Sequence, residues 1–352
     1  MIVYWSGCIA SMITAYACVK TSFSEKHRWA AVLFSALPMI LIAAIRYDVG
    51  EDYLYTYVPY FERVQQSAES GYTRMEPLYH LLNLVIVQLH GSYVWVFAIS
   101  AVVFYSAVYA QIFDESPYPP MSIFLIVGMC YCFVFFNAMR QMLGCAILLF
   151  SVRYIRERRF FPFLLCTAIA AGFHVSCALF LTMYWIGRIR IRPIMSWVIV
   201  AAVVAASQGL GLLLRQVISQ TQYAVYLLSI FDTGETAYVM LAINAVLLAV
   251  MAFCYRSDAQ YQIYYNMQLA ALIVTILSGK VVLILRCLWI FGLPSIISLP
   301  IAVANMPGEE RGRKLAISII MIFYFAYMTY TVGVQNSNSV LPYKTIFGRW
   351  IL

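Results

Sequence analysis

Apolar runs of membrane-crossing length recur along almost the whole chain, interrupted by only a few short polar stretches. About 20 apolar residues span a bilayer as a helix. Met1–Val19, Trp29–Ile45, Tyr93–Ile112, Ile194–Leu213, Ala237–Tyr255 and Leu315–Val334 each read as one crossing. Three longer tracts carry a polar break. Met121–Val152 breaks at Asn137-Ala138-Met139-Arg140-Gln141, Phe161–Gly187 near Gly172–Ser176, and Ile263–Ala304 near Ser278-Gly279-Lys280 and Arg286. Each is expected to fold as a hairpin of two short helices. From Glu76 to Gly91 a moderately apolar stretch predicts a short helix at the outer interface, with Pro77 suited to its first position. The short alternating segments of a membrane barrel are missing. The pattern therefore predicts an all-α polytopic membrane protein of about twelve transmembrane helices, with residues 1–352 as a single transmembrane domain.

The longest polar interruption opens at Ala44-Ile45-Arg46-Tyr47-Asp48-Val49-Gly50-Glu51-Asp52-Tyr53. Three carboxylates crowd into five positions of a chain that is only 11% charged. A solvated loop at a helix end is the plain explanation, and only company from other polar groups on the same side makes it a site.

Composition agrees with the pattern. Hydrophobic residues make up 63% of the chain and mean hydropathy is +0.82, well above soluble domains. The nine cysteines lie almost entirely in apolar runs, no Cys-x-x-Cys occurs, and only four histidines are present. A zinc or redox motif is excluded on spacing, and no metal or other cofactor is indicated. Met1–Val19 lacks a basic leader, so a retained helix is expected there.

The net charge of +8 is topological and is not a nucleic-acid footprint. Basic clusters at Lys20–Arg28, Arg153–Arg159, Arg188–Arg192 and Arg311–Lys314 are expected on the cytoplasmic side. The clusters flanking Phe161–Gly187 share a side only if that tract is a hairpin. Parity then turns residues 46–92 outward as a first outer loop and 215–237 as a second, with both termini outside. The turn Asp114–Pro120 falls inside despite its acids, which carry little topological weight.

The polar groups assigned to outer ends form the candidate site: Arg46, Asp48, Glu51, Asp52, Arg140, Gln141, His174, Ser176, Lys280 and Arg286. Ionisable residues at membrane depth are costly and point to function. Arginine forks suit phosphate, and a carboxylate among them suits a general base for a hydroxyl. Together they describe group transfer from a lipid-linked phosphate donor, with the cations stabilising departing pyrophosphate. Plainer roles stay open. Arg140 and Arg286 also suit interfacial anchors, His174 a turn histidine, and Ser176 a packing serine. Tyr47, Tyr53, Tyr55 and Tyr57 near Asp52 offer rings for stacking on sugars.

Arg46-Tyr47-Asp48-Val49-Gly50-Glu51-Asp52-Tyr53 resembles the Arg-x-x-x-Gly-x-Asp-Tyr segment of the EpsG family of bacterial polysaccharide polymerases. Glu76-Pro77-Leu78, Arg140-Gln141, Phe173-His174-x-Ser176 and Leu341-Pro342-Tyr343-Lys344 are similar to that family too, in order and over nearly the whole chain. The resemblance implies a Wzy-type role in O-antigen, capsule or exopolysaccharide synthesis. Oligosaccharide repeat units on undecaprenyl pyrophosphate would be joined en bloc at the periplasmic or outer face of the bacterial cytoplasmic membrane. Asp52 would be the base, with Glu51 or Asp48 as fallback and Tyr53 beside it. Arg46, Arg140 and Arg286, with Lys280, would bind pyrophosphate, and His174, with Gln141 and Ser176, would orient a substrate. Membrane lipids, a flippase and a chain-length regulator are the implied partners, with no nucleic acid. The acidic loop after an outward helix also resembles the GT-C glycosyltransferase architecture. Two other classes compete: a flippase for the same lipid-linked sugars, which should show inverted repeats, and a membrane O-acyltransferase with His174 as base.

Overall fold

The computed structural model describes the chain except residues 21–26, 67–74, 222–223, 225–226, 228–236, 349 and 352, and the side chains at 282, 283, 350 and 351. About 81% of it is helical. The helices are α1 (Ile2–Lys20), α2 (Arg28–Ala44), α3 (Val58–Gln66), α4 (Pro77–Gln88), α5 (Tyr93–Glu115), α6 (Pro119–Gly128), α7 (Tyr131–Asn137) and α8 (Met139–Arg156). They continue as α9 (Phe160–Phe173), α10 (Met183–Ile186), α11 (Pro193–Ser219), α12 (Tyr238–Phe253), α13 (Ala259–Ser278), α14 (Leu288–Gly292), α15 (Ser295–Ala304) and α16 (Glu310–Met328). Two two-residue strands, β1 (Tyr343–Lys344) and β2 (Trp350–Ile351), pair antiparallel near the C-terminus.

Among the described residues, four helices are long and apolar enough to cross a membrane, or six if each bent pair counts as one span. The bent pairs are α6 with α7, at 51°, and the segment Ile284–Gly292 with α15, at 45°. All three expected breaks are present. Met121–Val152 parts at Ala138 between α7 and α8, and Phe161–Gly187 turns at His174 into the tighter helix Val175–Thr182. The third tract turns at Gly279 and Lys280 before the tight helix Val282–Cys287. Pro77 starts α4 as its spacing predicts, and prolines likewise open α6 and α11.

The chain forms two compact units where the sequence reading has one domain over 1–352. The first is Met1–Ser151, Leu165–Ala178 and Gly308–Leu352; the second is Val152–Leu164 and Leu179–Pro307. The first unit packs α1, α2, α5 and α6 side by side, with α16 on α6. Its interior is aromatic: Phe104 stacks on Phe135 at 4.4 Å, and Tyr4 meets Phe133 edge-on at 4.8 Å. Arg28 at the start of α2 pairs with Asp114 at the end of α5, so the acidic turn serves as partner to a basic cluster. At the opposite end the Tyr4 hydroxyl donates to the Val340 carbonyl at 2.7 Å, joining the start of α1 to the segment after α16.

In the second unit buried amides join α13 to α12 and to the end of α10, the polar links that hold helices in an apolar medium. Gln268 Nε2 donates to Asn244 Oδ1 at 3.0 Å, and Asn266 Nδ2 donates to the carbonyls of Ile186 and Ile189 at 2.8 Å. The expected outer loop 215–237 starts later, because α11 runs on to Ser219. Arg215 there donates to the Lys280 carbonyl from Nε and Nη2, at 3.1 and 2.9 Å. Most of the rest of that loop, with Asp232 and Glu235, lies outside the described residues.

Candidate active site

The acidic loop is shaped by two left-handed residues and a strap. α2 ends at Ile45, and Arg46 forms an antiparallel bridge with Thr345. The Tyr47 N–H donates to the Lys344 carbonyl, and the Ile346 N–H to the Ile45 carbonyl. Asp48 and Gly50 turn the chain at φ +49° and +96°. A side chain at Gly50 would lie 3.1 Å from Asn137 Oδ1 and 3.2 Å from the Phe136 carbonyl, so a glycine fits both the angle and the approach. The C-terminal segment ties the loop down. Lys344 Nζ pairs with Asp48 Oδ2 at 2.6 Å, Ser339 Oγ donates to Glu51 Oε1 at 3.0 Å, and the Gly50 N–H donates to the Ser339 carbonyl. Burial pushes the Tyr343 hydroxyl pKa up, so it stays a neutral donor to the Ile42 carbonyl at 2.8 Å.

Two expected ligand contacts are interior. Arg46 is 0% exposed. Its Nη1 donates to the Ala43 carbonyl at 2.6 Å, and its guanidinium lies 4.4 Å from the Phe136 ring centre and 4.7 Å from that of Phe97. Cation–π contact with these faces, with Tyr53 and Phe135 further out, replaces an ion pair. Tyr53 stacks flat on Phe97 at 4.3 Å. In this conformation neither side chain faces a ligand: Arg46 anchors the loop and Tyr53 walls its cage. Of the tyrosines considered for sugar stacking, Tyr57 is also buried, whereas Tyr47 is exposed and Tyr55 is 86% exposed.

The three carboxylates do not converge; Asp48 and Glu51 go to the strap and Asp52 turns inward. Asp52 is half-buried. Its Oδ1 accepts from the Thr56 hydroxyl at 2.9 Å, and its N–H approaches Asn137 Oδ1 at 3.4 Å. One turn on, the Tyr57 hydroxyl donates to the Asn137 carbonyl at 2.6 Å and accepts the N–H of Met139 at 2.8 Å. It thus caps α8 across the break at Ala138. Burial raises the Tyr57 pKa, the Asp52 charge adds to the rise and the Arg140 charge opposes it.

Arg140 opens the second half of the site. It forms an ion pair with Glu76, the residue before Pro77 and α4, and its guanidinium lies 5.9 Å from the Tyr79 ring centre. Glu76 Oε1 also meets the Val175 N–H at 3.4 Å, at the turn after α9. There His174 Nδ1 and Ser176 Oγ lie 2.7 Å apart, and Gln141 Nε2 donates to the same Ser176 oxygen at 3.0 Å. The loop at Asp52, the start of α4, the break before α8 and the turn at His174 thus meet at one end of the first unit. Lys280 and Arg286 belong to the second unit, where Lys280 follows the end of α13 and Arg286 is exposed on the tight helix after it. Among the described residues no three or more His, Cys, Asp or Glu side chains come together as a metal group.

Four residues organise this end in roles the sequence did not assign: Tyr57, named there only as a ring for stacking on sugars, Glu76, Asn137 and Lys344. Glu76 and Lys344 stand in quoted motifs, and Asn137 heads the polar break, yet nothing local announces their partners.

The sequence model of the EpsG family matches residues 29–345. The chain belongs to the EpsG family. This is a Wzy-like polysaccharide polymerase family, and the matched range takes in every part of the site from Arg46 to Lys344. No curated protein and no solved structure matches this EpsG-family chain.

Proposed function

We propose that this EpsG-family protein is a membrane glycosyltransferase that joins undecaprenyl-pyrophosphate-linked oligosaccharide repeat units into a surface polysaccharide. The acceptor hydroxyl oxygen attacks the anomeric carbon of the donor sugar. The bond from that carbon to the pyrophosphate oxygen breaks, and its electron pair leaves with undecaprenyl pyrophosphate. Asp52 takes the hydroxyl proton, and Arg140 meets the charge growing on the leaving group. His174 and Ser176, held by Gln141, orient a substrate beside Arg140. Arg46, buried among rings, is reassigned from binding pyrophosphate to holding the loop, and Asp48 and Glu51 are the strap's partners. Lys280 and Arg286 remain candidate phosphate contacts of the second unit.

One observation supports this reading: Asp52 and Arg140, from separate family-like motifs, meet at the break before α8, where the Asp52 N–H reaches Asn137 Oδ1 at 3.4 Å and the Tyr57 hydroxyl bonds the Asn137 carbonyl and the Met139 N–H. The proposed setting is the bacterial cytoplasmic membrane, with the site facing outward and a flippase and chain-length regulator as partners. The proposed twelve crossings in a GT-C-like arrangement require α8, α13 and the shorter apolar helices, such as Phe160–Phe173 and Val175–Ile186, to count as tilted or partial spans. The test is complementation of a strain lacking the protein. Wild type restores a ladder of polymer lengths. Asp52→Asn, present in the membrane at normal level, should leave single repeat units. An undiminished ladder removes Asp52 from the chemistry.

A further inference from the structure

Glu76 is placed oddly for a structural carboxylate. It stands at the site's end of the first unit, side-chain exposure 16%, and bridges two donors that come from elements distant in sequence. One is Arg140 Nη1 and the other is the backbone N–H of Val175. A backbone N–H and a guanidinium aimed at one pair of anionic oxygens is what a phosphate takes as well. The carboxylate also leaves the position underused. It engages Nη1, while Arg140 Nε is buried with no hydrogen-bond partner. A buried guanidinium donor without an acceptor is costly. A pyrophosphate, with oxygens on two phosphorus atoms, can set one phosphate on Nη1 and the Val175 N–H and the other on the Nε–Nη2 edge. Arg140 keeps 22% of its side chain exposed, so the position is open to an arriving anion.

We infer that Glu76 occupies the place of a substrate phosphate oxygen, so that its carboxylate and the ligand's pyrophosphate compete for Arg140 and the Val175 N–H. This deepens the polymerase reading and rests on it for the ligand class, a prenyl-linked pyrophosphate. Displacement asks little of the fold. Glu76 is the N-cap of α4, its carbonyl accepting the His80 N–H, but its side chain caps no helix N–H and can rotate toward solvent. The competition also has a use. It keeps Arg140 paired between turnovers and turns away weaker anions, because a ligand must better an intramolecular carboxylate to bind.

The test uses the full chain in phosphatidylcholine nanodiscs, titrated calorimetrically with farnesyl pyrophosphate and separately with inorganic pyrophosphate. Glu76→Gln keeps the shape and removes the charge. Its apparent Kd for farnesyl pyrophosphate should fall about fivefold to tenfold, since a ligand no longer competes with a formed ion pair. Glu76→Asp, one methylene shorter, should fall between Glu76→Gln and wild type and covers the case in which the amide fails to fold. Arg140→Ala should lose binding. An effect confined to farnesyl pyrophosphate assigns the position to the lipid-linked group, and an equal effect on inorganic pyrophosphate assigns it to the free anion. Unchanged or weaker binding in the folded Glu76 variants overturns the inference, because a carboxylate that only orients Arg140 must help binding. The outcome separates from that of the Asp52→Asn ladder. Tighter binding with an undiminished ladder refutes the polymerase chemistry and leaves the anion position, and the reverse pair of results does the opposite.

Discussion

Replacing Tyr57 with Phe deletes one oxygen atom from the joint between the two halves of the site. The ring stays in place, because it packs edge-on against Tyr79 and Phe97. What goes is the hydroxyl that accepts the Met139 N–H at 2.8 Å and donates to the Asn137 carbonyl at 2.6 Å. Met139 is fully buried, so its N–H is left without a partner, at a cost of about 1–3 kcal/mol. Asn137 is half-buried; water recovers part of its loss, which adds about 1 kcal/mol. Tyr57→Phe should therefore lower the unfolding free energy in detergent by about 2–4 kcal/mol. The functional loss should be larger than this alone implies. With its cap gone the first turn of α8 frays and Arg140 shifts relative to Asp52. A displacement near 1 Å costs as much as about a hundredfold in rate. A denaturant titration followed by tryptophan fluorescence measures the first effect, and polymer length in complemented cells the second. An unchanged titration together with a full ladder refutes the assignment of Tyr57 as the joint.

Gly50→Ala forces a Cβ into the left-handed turn against Asn137 and the Phe136 carbonyl; it should cost about 1–3 kcal/mol in the same titration and shorten the polymer. Arg46→Met should fold with stability equal to or above wild type, because an apolar chain fills the aromatic cage, a buried unpaired charge is removed, and only the Nη1 bond to the Ala43 carbonyl is lost. Arg46→Ala, which leaves a cavity, should lose about 2–5 kcal/mol; equal losses in the two variants refute the packing role.

How much of this was legible in the sequence depends on range. Breaks in apolar runs are local signals, so the turns at Ala138, His174 and Gly279 and the start of α4 at Pro77 are read correctly to within a few residues. Contacts between distant segments carry no such signal. Nothing near Lys344 says that it returns to Asp48, and nothing near Glu76 says that it meets Arg140. Arg46 misleads for a physical reason. Arginine is ordinarily exposed or paired with an acid, and three acids follow it at once; four aromatic rings from α5, α7 and the loop bury it instead. The division into two units was equally invisible, because one apolar composition runs through both. The family-like motifs were legible as an ordered set, and the structure gathers those from Arg46, Glu76, Arg140, His174 and Lys344 at one end of the first unit.

The most direct measurement is made outside the cell. Purified wild-type protein in nanodiscs is given undecaprenyl-pyrophosphate-linked repeat units, and both polymer and free undecaprenyl pyrophosphate are measured over time. Polymer should lengthen with one undecaprenyl pyrophosphate released per unit joined, and Asp52→Asn should stop both while the protein stays folded. Repeat units left unjoined by folded wild type, or joined at an undiminished rate by Asp52→Asn, contradict a polymerase that uses Asp52 as its base.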